Sequence, residues 1–264
     1  IYVPEEQDEA VRDLSRLRET AMLDLNDVKY QIKAFLLRNH INTREKENWN
    51  EAYLRWLSDL KLAHTAQQYV LTEMLQVFSE RDRRHKRLTN ELEHQVKNWR
   101  YYPVVKAVQA MRGVQLLVAA GVICELGDLT RFDHPRKLMS YVGVTPSEHS
   151  SGDKRRRGSI TRCGNSRARR LLIEGANSYR YPANMSRQIL ARQAGLPQVV
   201  QDIAWEAQQR LCRRYQALLQ RGKAVNIIKV AIAREMIAYI WSIAREVVLA
   251  PVDPTKNLAR VPHK

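Results

Sequence analysis

Two adjacent serines, Ser150 and Ser151, stand before a glycine and a cationic run, Lys154-Arg155-Arg156-Arg157, within residues 147–170. A small hydroxyl on a glycine-containing loop is a candidate nucleophile, and beside so much positive charge its natural target is a phosphodiester. Attack on phosphorus requires loss of the hydroxyl proton. It also requires cations on the non-bridging oxygens as negative charge builds in the transition state. Arginine suits the second task because its planar fork grips two phosphate oxygens at once. From Lys154 to Arg170 there are eight Lys or Arg residues, Arg162, Arg167 and Arg170 among them, and no acid. Asn165 or Ser166 is placed to cap the helix that follows, whose first amides offer another phosphate seat. Gly152, Gly158 and Gly164 let backbone pass close to a ligand. His149 invites a Ser-His reading, but no acid stands at a telling position, and it reads as an exposed loop histidine. On the residues alone, a basic loop that binds DNA or RNA without covalent chemistry explains the segment better than a nucleophile does, since serines are common in basic loops.

The elements that must position this segment are helices. Residues 136–141 form a short helix opened by Pro135 and ended by Gly143, and residues 145–166 read as largely loop. Helical periodicity returns over 167–179, then over about 196–219 and 224–249. Further upstream, short helices at 104–111 and 115–126 flank a turn at Arg112-Gly113-Val114. Two helices around a glycine turn resemble a helix-hairpin-helix unit, whose turn amides meet a phosphate without needing a particular base, so Arg112 and Gly113 join the candidate contacts. A plain pair of antiparallel helices fits the same residues nearly as well.

Before Pro103 the chain reads as long helices. Val11, Leu14, Leu17, Ala21, Leu25, Val28, Ile32 and Phe35 recur at steps dominated by three and four, a coiled-coil-like seam that favours self-association. Asn42 with Glu45 is a capping pair opening a second helix that carries Trp49, Tyr53, Trp56 and Leu60. A third helix, residues 65–99, turns Tyr69, Met74, Val77, Phe78, Leu88, Leu92 and Val96 inward. Its run from Arg81 to Arg87 is too polar to be buried all round and reads as a solvated face, with phosphate contact as the alternative. No run of alternating residues suggests a strand. The expected fold is all-α: a coiled-coil connector over 1–100, a helical domain with a basic Ser/Gly/Arg loop over 101–250, and an extended tail over 251–264.

Composition narrows the partners. The 264 residues carry 44 Lys and Arg against 28 Asp and Glu, a formal net charge of +16, and the sequence pI is about 10.0. Such a balance favours a polyanion, nucleic acid ahead of an anionic membrane surface. No apolar stretch is long enough to span a membrane. Cys124, Cys163 and Cys212 are odd in number and widely spaced, which argues against a disulfide framework or a zinc site and points to a reduced, cytoplasmic setting. The opening Ile-Tyr-Val-Pro-Glu-Glu is not a signal peptide and has no initiator Met, so it reads as the interior of a longer chain.

From about residue 111 to 245 the sequence resembles the IS116/IS110/IS902 family of insertion-sequence transposases, relatives of the pilin-gene invertases. The likeness rests on Met111-Arg112-Gly113-Val114, Ala119-Ala120, Glu125-Leu126-Gly127-Asp128 and Arg131-Phe132. It continues through Lys137 to Glu148, Ser151-Gly152, Arg156-Arg157-Gly158, Ile160-Thr161, Gly164-Asn165 and Arg169 to Leu172. Asp202 to Trp205 and Ala231 to Glu235 extend it.

The resemblance implies a bacterial, nucleoid-associated recombinase in two parts. A RuvC-like domain supplies four acids that bind Mg²⁺, and a C-terminal domain supplies a serine that becomes transiently joined to DNA. The acids of one subunit serve the serine of another, so a homo-oligomer is implied. Some members use a structured guide RNA. Carried onto this sequence, the nucleophile is Ser151, with Ser150 the alternative. Lys154, Arg155, Arg156, Arg157, Arg162, Asn165, Arg167 and Arg170 are the nucleic-acid contacts. The RuvC-like domain is absent from these residues. Asp8, Glu9 and Asp13 share one charged helix, cannot converge from separate elements on a metal, and read as solvated; no metal ligand is expected in this chain, Mg²⁺ belonging to the absent domain. The competing reading is a non-catalytic DNA- or RNA-binding and oligomerisation module.

Overall fold

The periodicity of the first hundred residues is realised in two 33-residue helices, α1 (Glu6–Arg38) and α3 (Thr65–Lys97), with α2 (Glu51–Asp59) between them. The structure, a computed structural model, describes residues 3–42, 49–148 and 157–247. The chain divides into two compact units, one of Asp13–Gln95 and one of Ile1–Arg12 with Val96–Lys264.

In the first unit the cross-contacts run in opposite senses along the two long helices. Arg18 Nε donates to Thr89 Oγ1 at 3.3 Å, Arg84 pairs with Asp24 at 3.0 Å and Gln67 Nε2 donates to Asn39 Oδ1 at 2.7 Å. Partner numbers fall as α1's rise, so α1 and α3 are antiparallel. Leu25, Val28, Ile32 and Phe35 of the expected seam are buried with Tyr53 and Leu57 of α2 and Leu71 and Phe78 of α3. That stretch of the seam is covered by the chain itself and is not left free for a second copy.

Three expectations change here. Leu17 and Tyr69 are 44% and 67% exposed and point outward. The cap of α2 is Asn50, whose side chain accepts from Tyr53 N at 2.9 Å; Trp49 lies before the helix at φ 47° and stacks on Phe78 at 5.0 Å. Glu45 and the expected tail at 251–264 lie outside the described residues. The cationic run is partly engaged within the unit, with Arg81 donating to Asp24 O at 2.7 Å and Lys86 pairing with Asp82.

The second unit is built around its last helix. α4 (Tyr102–Val108), α5 (Leu116–Leu126), α6 (Pro135–Val142) and α7 (Ser166–Ala176) precede α8 (Arg187–Gln193), α9 (Gln198–Gln220) and α10 (Val225–Arg245). Ile232, Met236, Ile237, Ile240 and Ile243 of α10 are essentially inaccessible, because α4, α6, α7 and α9 all pack against that helix. α8 was not expected, since its seven residues fall short of two full turns of periodicity. Asp8 corrects the reading of the first acids as solvated. It is 2% exposed, accepts from Trp99 Nε1 at 2.8 Å and is ion-paired with Arg100. The fold is all-α, with one addition in the segment expected to be loop: β1 (Pro146–Glu148) and β2 (Arg157–Ile160) form an antiparallel ribbon.

Candidate functional site

Extended backbone from Pro146 meets Ile160, and Glu148 meets Arg157, across the ribbon. The pairing continues below it, where Thr161 N donates to Thr145 O at 2.9 Å and Arg162 N to Gly143 O at 3.2 Å. Ser147 Oγ adds a bond to Ser159 O at 2.9 Å. The ribbon therefore sets Glu148 and Arg157 opposite each other on neighbouring strands. Ser150, Ser151, Lys154, Arg155, Arg156 and His149 fall in that connection, outside the described residues.

Two glycines allow the base of the ribbon to close. Gly143 ends α6 in the left-handed region at φ 74°, and a Cβ there would sit 2.0 Å from Cys163 O. Gly164 has φ +100°, and its Cβ would sit 1.9 Å from Tyr141 O. Backbone passes directly over backbone at both points, which no side chain permits. Arg162 adopts φ 57° between them and is exposed.

The downstream end of the ribbon is fastened to α7 by Asn165. Its Oδ1 accepts from Ala168 N at 2.9 Å, capping the helix, while its Nδ2 donates to Glu125 Oε2 at 2.6 Å. Glu125 is 8% exposed at the end of α5. Arg169 Nη1 donates to Val142 O at 2.8 Å, tying α7 to the end of α6. Arg167 is exposed, and Arg170 pairs with Glu174 one turn on at 2.6 Å. Asn165 and Arg162 are thus brought to the foot of the ribbon. Arg157 enters it as the first residue of β2.

Arg112 and Gly113 are placed elsewhere. Gly113, at φ +78°, lies against the backbone of Gly175 in α7, where an added Cβ would meet Gly175 O at 2.2 Å. Arg112 Nη1 donates to Pro182 O at 2.7 Å and contacts Cys212 Sγ. This turn joins α4 to α5 and lies against α7, on which α5 packs, and its close approach supplies a structural use for the glycine.

Beside the ribbon lies a cleft of about 600 Å³ between β2 and the first half of α10, lined by Pro146, Ile160, Arg162, Ile227, Val230 and Arg234 among others. Sequence reading had not joined Arg234 to Arg162. A face shared between residues so distant along the chain exists only once α10 is packed. Among the described residues there is no group of three or more His, Cys, Asp or Glu side chains that could hold a metal ion. No helix among them is long and apolar enough to cross a membrane.

The described residues thus define an all-α class of protein that carries one short antiparallel ribbon among them. Comparison adds a likeness to known proteins. Residues 105–189 match the model of the Transposase IS116/IS110/IS902 family. It is similar to the putative transposase y4qE of Sinorhizobium fredii, 39% identical over 246 residues, 93% of this chain and 60% of that protein. It is also similar to the transposase for insertion sequence element IS1533 of Leptospira borgpetersenii, 26% identical over 222 residues, 83% of this chain and 64% of the relative. The transposase for insertion sequence element IS1111A of Coxiella burnetii matches over 71 residues at 39% identity, 27% of this chain and 20% of its own length. The chain thus spans 60% and 64% of the first two relatives.

Proposed function

We propose that this chain is the DNA-handling part of an insertion-sequence transposase, and that Ser151 is its nucleophile toward a DNA phosphodiester. The observation that carries the reading is the family match, which includes residues 149–156 in sequence and is flanked there by two described strands whose base is held by Gly143, Gly164 and the Glu125–Asn165 pair.

In the proposed step the Ser151 Oγ–P bond forms as one P–O bond to deoxyribose breaks. The serine proton leaves to an acceptor outside the described residues, and the released deoxyribose oxygen takes up a proton. Lys154, Arg155, Arg156, Arg157 and Arg162 hold the non-bridging oxygens. Arg167 and Arg170 extend the contact along α7, while Asn165 fixes that helix's first turn. Arg112 and Gly113 act through packing. The acids that would hold Mg²⁺ in such a recombinase belong to a further domain, and where one subunit's acids serve another's serine the recombinase acts as an oligomer. A structured guide RNA is a further partner that the same cations could take.

The test is trapping of a covalent protein–DNA adduct in the assembled full-length recombinase with Mg²⁺ and element-end DNA. Ser151→Ala abolishes the adduct and Ser150→Ala retains it. An adduct persisting in Ser151→Ala assigns the nucleophile elsewhere. No adduct in the wild type, together with salt-sensitive DNA binding, favours the non-catalytic binding module.

A further inference from the structure

The C-terminal half of α9 carries arginines on one face. Arg210, Arg213, Arg214 and Arg221, with Ala217 and Leu218, line a recess of about 380 Å³. Their attachment is distinctive. Arg210 Nε reaches Glu235 Oε2 at 3.0 Å and Arg214 Nε reaches Glu235 Oε1 at 2.5 Å. Arg213 uses its Nε on Gln209 O at 3.3 Å. Arg210 and Arg213 hydrogen-bond through the inner nitrogen, and Arg214 is ion-paired with Glu235, which leaves the terminal nitrogens of Arg210 and Arg213 for an outside acceptor; that is the edge with which guanidinium grips phosphate bidentately. Arg221, fully on the surface at the end of the helix, has no side-chain partner among the described residues.

Cations in the last turns of a helix also complement its dipole, but that effect acts along the axis and does not select one face. Here the spacing 210, 213, 214, 217, 221 follows the helical repeat and forms a stripe. From Arg210 to Arg221 it extends about 16 Å at 1.5 Å per residue, long enough to meet more than one backbone phosphate. Glu235, with Glu206 also acting on Arg210, offsets at most two of four cations, so the recess keeps a net positive charge.

The stripe adjoins the ribbon cleft. Arg234 lines that cleft while Glu235, the next residue of α10, anchors the α9 arginines, and consecutive helical residues point about 100° apart. The two basic surfaces lie on neighbouring sides of α10.

We infer that the arginine stripe of α9 is a second phosphate-backbone contact for duplex DNA, separate from the serine-bearing connection. This rests on the DNA-handling reading above. Charge complementarity, outward terminal nitrogens and adjacency to the ribbon cleft carry it, and base sequence does not enter.

The test is equilibrium binding of the full chain to duplex DNA across a salt series. Each neutralised phosphate contributes about 0.9 to the slope of log affinity against log salt. Arg213→Gln with Arg221→Gln, both exposed and removable without disturbing the core, lowers the slope by about 2. Glu235→Gln removes the internal carboxylate and moves affinity the other way, toward tighter binding. A double variant with wild-type affinity and slope, alongside weakened binding in Lys154→Gln/Arg155→Gln/Arg156→Gln, overturns the stripe and leaves the DNA reading standing. Loss confined to an RNA hairpin probe overturns the choice of duplex DNA. No duplex binding by the wild type at low salt rejects both readings together. Weaker binding by a folded Glu235→Gln, checked by circular dichroism, overturns the stripe.

Discussion

Asn165 and Glu125, forty residues apart, meet at 2.6 Å, and the same Asn165 side chain caps α7. One amide thus fixes the start of the helix that leaves the ribbon and occupies an oxygen of a buried carboxylate. Asn165→Ala removes both roles. Loss of a cap costs about 1 kcal/mol, and leaving a buried acceptor short of a partner adds about 1–3 kcal/mol. Urea denaturation is expected to show a fall of at least about 2 kcal/mol; a change within 0.5 kcal/mol, the range of ordinary surface substitutions, rejects the pairing.

Asn165→Asp keeps the capping oxygen but sets a second carboxylate against Glu125. The repulsion is present when both are ionised and is relieved when one takes up a proton. The deficit against wild type is therefore largest near neutral pH and shrinks as pH falls toward 4. A deficit that grows on acidification contradicts this geometry. Thermal midpoints across the pH series decide it.

The glycines separate two kinds of cost. Gly143→Ala and Gly164→Ala combine a positive φ with a Cβ 2.0 or 1.9 Å from a carbonyl oxygen, whereas Gly195 and Gly222 have positive φ with nothing within 4 Å. The left-handed conformation alone costs about 1–2 kcal/mol in a non-glycine residue. Alanine at 195 or 222 stays within that range, and alanine at 143 or 164 exceeds it or prevents folding. Equal losses at all four positions would falsify the backbone crossing at the foot of the ribbon.

The cysteines differ in accessibility. Burial, reinforced by the charge of Glu125, pushes the Cys124 thiol up to about 12, and burial raises Cys212 as well. Cys163 is exposed. The thiolate is the reactive form, so at pH 8 an aromatic disulfide reagent labels Cys163 first, and Cys124 only on unfolding. Rapid native labelling that survives Cys163→Ser points instead to an open end of α5.

His85 gives the Asp13–Gln95 unit a pH dependence. Burial and the nearby Arg18 hold its imidazole below the ordinary value, with Lys29 and Lys86 acting in the same sense and Asp82 against them. A histidine with a depressed folded value binds protons more readily when unfolded. Its contribution is intact above the ordinary value near 6.5 and is lost as pH falls through it. His85→Gln should therefore lose less stability than wild type between pH 7.5 and 5.5, read as thermal midpoint. Parallel curves would remove His85 from the account.

The sequence by itself determined most helices, because a repeat near 3.6 survives wherever a helix is long enough to bury one face, and it marked the stop at Gly143. It also singled out the serine and arginine segment by charge and by family likeness. Tertiary structure decided the rest. Asp8 looked like one more acid on a charged helix until Trp99 and Arg100 closed over it. Gly113 fitted a phosphate turn, but its use depends on Gly175, which lies 62 residues away. The ribbon escaped notice because a three-residue and a four-residue strand carry no alternation to read. What holds it, Gly143 against Cys163 and Asn165 against Glu125, is a set of contacts between distant segments. The serine connection was legible as composition; the clamp beneath it exists only once α5, α6 and α7 have packed.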